Sequence, residues 1–253
     1  MGLVQACLDE LGLSMSDIES IAATGYGKKL ASGAGRTVDE ISANALGMFT
    51  LSGGRCRTII NIGGQGLKVI NLDENGRIAD FKMNDKCAAG TGRFFEQAAR
   101  ILDTPLEQFG EMSANARETL ELNSTCVVFA ESEMVSLLAK GVDKESIIRG
   151  LHNSVARRIA NLLGRQALKG DIYLDGGPAQ NPGMVEALED ELLTEVHVLD
   201  DPQFTVDGRY DEAAAAAAES LDVYIAINLK GINKAFKIEK HTHNYPHCWR
   251  TDK

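Results

Sequence analysis

Residues 83–96 constrain the fold most, because they combine a lone cysteine with closely spaced glycines: Met-Asn-Asp-Lys-Cys-Ala-Ala-Gly-Thr-Gly-Arg-Phe-Phe-Glu. Gly90 and Gly92 allow the backbone to approach a bulky group, and their amides can point at it. From Arg93 the apolar residues recur every three or four positions, which predicts a helix. Cys87 therefore precedes a helix N-terminus, a position that favours a thiolate. For an isolated cysteine, a buried thiol in a tight turn would be the preferred interpretation.

A second cysteine segment has the same character. Residues 123–133 read Asn-Ser-Thr-Cys-Val-Val-Phe-Ala-Glu-Ser-Glu, and Cys126 precedes a helix predicted over 127–138 that Ser124 or Thr125 can cap. An iron–sulfur cluster takes four thiolate ligands. Cys87 and Cys126 would supply two of them. A two-fold symmetric dimer would supply the other half, because its interface presents the same surface twice.

Two apolar strands end in Gly-Gly turns of the kind that hold phosphate. The run 57–62 leads into a glycine-rich turn at 63–66 and a return strand at 68–72. The run 171–174 leads into Asp-Gly-Gly-Pro-Ala-Gln-Asn, after which a helix is predicted. Backbone amides in such turns, and the start of a following helix, attract phosphate charge. Ordinary structural turns are the alternative at both places.

The cysteine segments together resemble the activator component of 2-hydroxyacyl-CoA dehydratases, whose superfamily includes the ATPase subunits of benzoyl-CoA reductase. The resemblance rests on Asn-Asp-Lys-Cys-Ala-Ala-Gly-Thr-Gly-Arg-Phe and on Ser-Thr-Cys-x-Val-Phe-Ala-Glu-Ser-Glu, and it extends over about residues 21–204. It implies an α/β fold with the ribonuclease H-like domains of the acetate and sugar kinase, Hsc70 and actin superfamily. It also implies a homodimer in which Cys87 and Cys126 of each subunit hold one shared [4Fe-4S] cluster.

The same resemblance implies the activity, cofactors and partners. The chain would be an ATP-dependent electron donor to a dehydratase such as 2-hydroxyglutaryl-CoA dehydratase, reduced by ferredoxin or flavodoxin in the cytoplasm of an anaerobic organism. ATP or ADP would bind with Mg²⁺. The nucleotide-binding residues implied by the resemblance are Gly63, Gly64, Gln65, Gly176, Gly177, Ala179, Gln180 and Asn181.

The phosphate motif departs from the family pattern, which reads Asp-Ile-Gly-Gly-Gln-Asp. Here Asn61 and Gly66 replace the two acids, so the sequence does not identify a catalytic residue. A carboxylate at such a position would hold the Mg²⁺ shell or orient the attacking water. The opening Asp-x-Gly-Ser-Thr hairpin of the superfamily is also not found in the sequence. We therefore expect weak ATP binding and slow hydrolysis.

The expected domain organisation follows from these departures. Residues 1–57 with 208–230 are expected to form an incomplete first domain, residues 58–207 a second domain, and residues 231–253 a disordered tail. A non-hydrolysing iron–sulfur paralogue and a truncated inactive product are alternatives to the activator. A kinase of the same superfamily is a third alternative, against which the paired cysteines argue.

Composition excludes some partners. The net charge of −10 argues against nucleic acid and against an anionic membrane surface. Five cysteines without framework spacing suit a reducing cytosol, and no apolar run is long enough to span a membrane. Between and after the cysteine segments, helical periodicity predicts helices at 104–110, 112–120 and 143–149, with a separate long helix following to Leu163.

Overall fold

The computed structural model describes residues 5, 8, 9, 12–25, 28–30, 34–64, 66–84, 90–122, 127–164, 168, 170–199, 224–229 and 235–238. Its strands form two mixed sheets, one with five strands and one with four. The strands are β1 (Ile18–Thr24), β2 (Arg36–Thr37), β3 (Cys56–Ile62), β4 (Leu67–Leu72), β5 (Ile78–Asn84), β6 (Asp171–Asp175), β7 (Val196–Val198), β8 (Tyr224–Leu229) and β9 (Ala235–Ile238).

The five-stranded sheet has the order β5-β4-β3-β6-β7 and carries both glycine-rich turns. Strands β3, β4 and β5 are antiparallel neighbours, whereas β6 runs parallel to both β3 and β7. Because β3 and β6 are parallel, their carboxyl ends lie at the same edge of the sheet, and Asn61 pairs with Asp175 there. The other sheet has the order β2-β1-β8-β9.

Strand β3 lies in the middle of the five-stranded sheet because both of its faces are apolar. Ile60 and Ile62 belong to the larger core, whereas Cys56 and Ile59 belong to a second core on the opposite face. This alternation explains why the strand reads as a continuous apolar run, as strands covered on both faces do. The helices are α1 (Glu40–Leu51), α2 (Gly92–Leu102), α3 (Phe109–Ala114), α4 (Val127–Ala139), α5 (Lys144–Leu163) and α6 (Pro182–Leu192).

Helix α5 shows where the helical prediction was wrong. Residues 144–163 form one continuous helix, not two. The Asp143 side chain accepts a hydrogen bond from the Ser146 amide at 2.9 Å and so caps the start, and the helix ends at Gly164, whose φ is 70°. The helix predicted over 112–120 was also wrong, because helix α3 ends at Ala114.

The domain division remains a prediction. Helix α1 lies in the segment assigned to the first domain, yet its Ala45 and Met48 pack on the five-stranded sheet with Tyr173 of β6. Strands β8 and β9 fall within the predicted first domain and the predicted tail. Cys87, Cys126, Gln65, residues 208–223 of the predicted first domain and most of the predicted tail lie outside the described residues. No helix in the described part of the chain is long and apolar enough to cross a membrane.

Cys56 should be chemically inert in the folded protein. Its side chain is fully buried in the second core, and burial raises the pKa of the thiol, with a further contribution from the nearby Asp175 charge. Because the thiolate is the reactive species, iodoacetamide should not modify Cys56 at pH 8 under native conditions and should modify it in guanidinium chloride. Peptide mass mapping measures both. Rapid native modification would contradict the described packing.

Candidate functional site

The turn between β3 and β4 is closed by one backbone hydrogen bond. The amide of Gly63 donates to the carbonyl of Gly66 at 2.8 Å. Among the described residues, a Cβ at Gly66, where the family has an acid, would meet no atom within 4 Å.

The start of helix α2 is attached to this turn. The amides of Gly92 and Arg93 donate to the carbonyls of Gly63 and Gly64, each at 2.9 Å. A Cβ at Gly92 would lie 3.2 Å from the Gly64 Cα, so a larger residue would press the two segments apart. Since Cys87 shortly precedes this helix, the predicted cluster segment and the predicted phosphate turn are connected by direct hydrogen bonds.

The second glycine turn crosses the end of β3. Gly176 has a φ of 93°, and a Cβ there would overlap the carbonyl oxygen of Ile62. Only glycine fits this position, since it combines a left-handed backbone with close backbone contact. Residues 177–180 then form a short 3₁₀ helix, whose Ala179 is buried and donates its amide to the Gly176 carbonyl at 3.0 Å. The two predicted nucleotide turns are thus adjacent.

Asn181 has a structural role in addition to its predicted one. Its side-chain oxygen accepts a hydrogen bond from the Gly183 amide at 3.0 Å and caps helix α6. Its side-chain nitrogen lies 2.9 Å from Nε2 of His152. Both ends of the side chain are therefore held, which fixes the segment that follows the Gly-Gly turn.

A cavity of about 390 Å³ opens between this segment, α2 and α3. Its volume falls in the range of small-molecule sites. The lining combines apolar side chains with two carboxyl groups and glycine backbone: Gly92, Phe95, Glu96, Leu106, Glu107, Gly110, Gly177, Pro178, Gln180, Asn181 and Pro182. A Cβ at Gly110 would lie 2.7 Å from Pro182, so this glycine allows α3 and α6 to meet.

His152 contacts Phe95 and Asn181, two residues that line this cavity, and the sequence analysis missed it. Its ring is fully buried between Phe95 and Phe109, with Nδ1 3.0 Å from the Ser113 hydroxyl. Burial, with repulsion from Arg149, lowers the pKa of His152 to about 3. The ring is therefore neutral at pH 7; Nε2 accepts from Asn181, and Nδ1 donates to Ser113. The sequence signal that could have identified His152 was its position on the apolar face of α5.

A buried carboxylate occupies the edge of the sheet where β3 and β6 end. Asp175 is 4% exposed, and its Oδ1 accepts a hydrogen bond from Asn61 at 2.8 Å. Its Oδ2 accepts a hydrogen bond from the side chain of Asn44 in α1. The sequence placed Asn61 in the phosphate motif but did not identify Asp175 or Asn44, because their proximity depends on strand register and helix packing.

The two helices that follow the cysteine segments pack side by side. Nε2 of Gln97 in α2 donates to Oε1 of Glu131 in α4 at 3.4 Å. Further along α4, Phe129 is 66% exposed and Val135 is 53% exposed. Within the described residues, no group of three or more His, Cys, Asp or Glu side chains is arranged to hold a metal ion. The two helices that follow the cysteine segments in the chain are therefore in contact with each other.

The fold is of the actin-like ATPase class, as in the similar solved structures. The sequence matches the BadF/BadG/BcrA/BcrD ATPase family over residues 2–218, and the chain belongs to that family. The predicted family and fold class are confirmed.

Similar proteins are activators of dehydratases. The activator of lactoyl-CoA dehydratase from Anaerotignum propionicum is 47% identical over 194 residues, which cover 77% of this chain and 74% of that protein. The structure of the activator of the 2-hydroxyisocaproyl-CoA dehydratase from Clostridium difficile with bound ADPNP is 41% identical, with a TM-score of 0.74 and coverage of 79% of this chain and 74% of that chain. The (R)-2-hydroxyglutaryl-CoA dehydratase component A from Acidaminococcus fermentans is 39% identical, with a TM-score of 0.75 and coverage of 85% and 80%.

Of two further matches, one is to an expected relative and the other covers only a short segment of this chain. A subunit of the benzoyl-CoA reductase from Thauera aromatica is 31% identical over 186 residues, covering 73% of this chain and 65% of that protein, which confirms the predicted relationship. Separately, 52 residues, or 21% of this chain, are 71% identical to 4% of isoleucine–tRNA ligase from Bacteroides thetaiotaomicron. So small a share of that enzyme does not indicate its activity.

We expect the stability of the protein to fall as the pH drops from 6.5 towards 3, in part because of His152. In the unfolded chain the His152 side chain takes up a proton near pH 6.5, whereas in the folded protein it takes one up only near pH 3. The free energy of unfolding should therefore fall by about 1 kcal/mol per pH unit between pH 6 and 4.5. Urea unfolding at several pH values measures this slope. The slope should be smaller in His152→Gln, and an equal slope in both proteins would contradict the neutral buried ring.

Gly176→Ala should destabilise the protein by more than about 2 kcal/mol, because the new Cβ overlaps the Ile62 carbonyl and the backbone is left-handed. Gly66→Ala is the matched control, since its Cβ would meet nothing within 4 Å; it should change stability by less than about 1 kcal/mol. Urea unfolding compares the two variants. Equal stability would contradict the close crossing of the turn and β3.

Proposed function

We propose that this chain is an ATP-dependent activator that donates an electron to a 2-hydroxyacyl-CoA dehydratase. The observation that carries the proposal is the pair of hydrogen bonds from the start of α2 to Gly63 and Gly64. They connect the turn proposed to hold phosphate with the segment that contains Cys87. Membership of an ATPase family, and similarity to proteins that activate dehydratases, support the same function.

A nucleotide would use the two glycine turns and the cavity beside them. The adenosine moiety would occupy the cavity next to Gly177 and Gln180, which lies where the second turn meets α2. The phosphates would lie towards Gly63 and Gly64, at the carboxyl ends of the strands, where open α/β sheets bind ligands. In this arrangement the chain's own residues bind and orient the nucleotide, and a displacement of the Gly63–Gly64 turn would move the start of α2.

Cys87 and Cys126 would hold the iron–sulfur cluster, which supplies one-electron chemistry when bound. The contact between α2 and α4 is consistent with this ligand set, because each helix follows one cysteine segment. Helix α4 also exposes two apolar side chains, Phe129 and Val135. A second copy of the chain would supply the remaining two thiolates. Ferredoxin or flavodoxin as the electron donor, and a cytoplasmic location, belong to the same proposal.

A non-hydrolysing iron–sulfur protein is the second candidate. The side chain at position 61 is an amide and is hydrogen-bonded to Asp175, so it provides no negative charge of its own. The two candidates differ in ATP turnover by anaerobically purified protein. Turnover that depends on the reduced state and on a dehydratase supports the activator, whereas cluster binding without turnover supports the second candidate.

Anaerobically purified protein should contain four iron atoms per dimer, as one shared [4Fe-4S] cluster requires. Cys87→Ser and Cys126→Ser should each lose the cluster, whereas Cys56→Ala is the control that keeps it, because Cys56 is buried in the second core. Iron analysis combined with size-exclusion chromatography measures both properties. A monomer that carries a complete cluster, or a cluster retained in Cys87→Ser, would contradict the shared ligand set.

A further inference from the structure

The acid expected in the first phosphate motif is replaced by Asn61, but a carboxylate lies directly beside it on the neighbouring strand. Asn61 and Asp175 are partners in the register of the parallel pair β3 and β6. Asn61 Nδ2 donates to Asp175 Oδ1 at 2.8 Å, and both side chains are buried. A carboxyl group at position 175 therefore lies one hydrogen bond away from the place where the family motif has its acid.

We propose that Asp175 supplies the carboxylate of the nucleotide's Mg²⁺ site, in place of the acid at position 61. The inference rests on the proposed nucleotide site and identifies which residue completes it. In this assignment β6, and not β3, contributes the negative charge of the site. The departure at Asn61 then no longer predicts slow hydrolysis by itself.

The location of Asp175 supports this role. It is the last residue of β6 and immediately precedes Gly176, whose backbone touches the carbonyl of Ile62 at the end of β3. The Gly63–Gly64 turn begins at the residue that follows Ile62. Asp175 therefore lies at the edge of the sheet where both glycine turns start, which is where Mg²⁺ and phosphate would meet. Mg²⁺ is usually held by one or two carboxylates together with substrate phosphates, so one acid is sufficient.

Asn44 is a second, independent observation at this place. Its side chain is fully buried, and its Nδ2 donates to Asp175 Oδ2. Its Oδ1 is buried, and among the residues that the structure describes it has no hydrogen-bond partner. A buried carbonyl oxygen without a partner is uncommon and calls for an explanation such as an ion or a water molecule. Oxygen atoms are the ligands that Mg²⁺ prefers, so the donor chemistry of Asn44 and Asp175 fits this ion.

The amide at position 61 is the residue that Asp175 requires. An aspartate there would place two carboxylates at hydrogen-bond distance, and like charges at that distance cannot both remain ionised at low cost. Asn61 instead donates a hydrogen bond and holds the carboxylate in one orientation. The two positions therefore act as a pair that carries one negative charge, which either strand can contribute.

The test measures how strongly Mg²⁺ increases the affinity for ADP, by calorimetry with and without Mg²⁺. The proteins are the wild type, Asp175→Asn, Asn61→Asp, and the double variant Asn61→Asp/Asp175→Asn. Asp171→Asn is the control, because Asp171 lies at the opposite end of the same strand. Circular dichroism and urea unfolding establish that each variant is folded. The double variant keeps one acid and one amide in the pair, so its packing is preserved.

We expect Mg²⁺ to strengthen ADP binding about tenfold, or about 1.4 kcal/mol, in the wild type and in Asp171→Asn. This strengthening should disappear in Asp175→Asn and return in the double variant. If the Asp175→Asn variant keeps the full Mg²⁺ effect, the inference about Asp175 is overturned, whereas the proposed nucleotide site still stands. Failure of the folded double variant to regain the effect would also overturn it. A wild-type protein that binds no ADP under either condition would contradict the proposed function itself.

Discussion

Two backbone hydrogen bonds at the start of helix α2 connect the parts of this protein that matter for its proposed function. The amides of Gly92 and Arg93 donate to the carbonyls of Gly63 and Gly64. The first amides of a helix have no partner inside the helix, so they must be satisfied from outside. Here the Gly63–Gly64 turn provides the acceptors, and it thereby positions a helix that follows a cysteine segment. If the turn moves, either the start of the helix moves with it or these hydrogen bonds break.

Close backbone contact continues this arrangement across the sheet. Gly176 lies against the carbonyl of Ile62, and the same strand ends carry the hydrogen bond between Asn61 and Asp175. On the far side of the cavity, His152 holds Asn181, which in turn caps helix α6. The second glycine turn is therefore fixed at both ends. Rigid support of this kind is what a site that must bind and orient a nucleotide needs.

The sequence predicted those features that depend on local pattern. Strands β3 and β6 and their glycine turns were recognised because an apolar run and a Gly-Gly pair are adjacent in the chain. The helix predicted over 112–120 failed because periodicity continued beyond Ala114, where the backbone leaves the helix. Asp175 and His152 were missed because their significance depends on partners distant in sequence, Asn61 and Ser113 respectively. Parallel register and helix packing determine such pairs, and single-sequence patterns do not contain that information.

The connection between the turn and the helix is tested most directly by amide hydrogen exchange with and without saturating ADP and Mg²⁺. Nucleotide binding at the glycine turns should slow exchange at residues 63–66 and 176–181. If α2 is positioned by the turn, exchange at residues 90–95 should slow as well, since the amides of Gly92 and Arg93 bond to the turn. Slower exchange at both turns with no change at residues 90–95 would contradict the account.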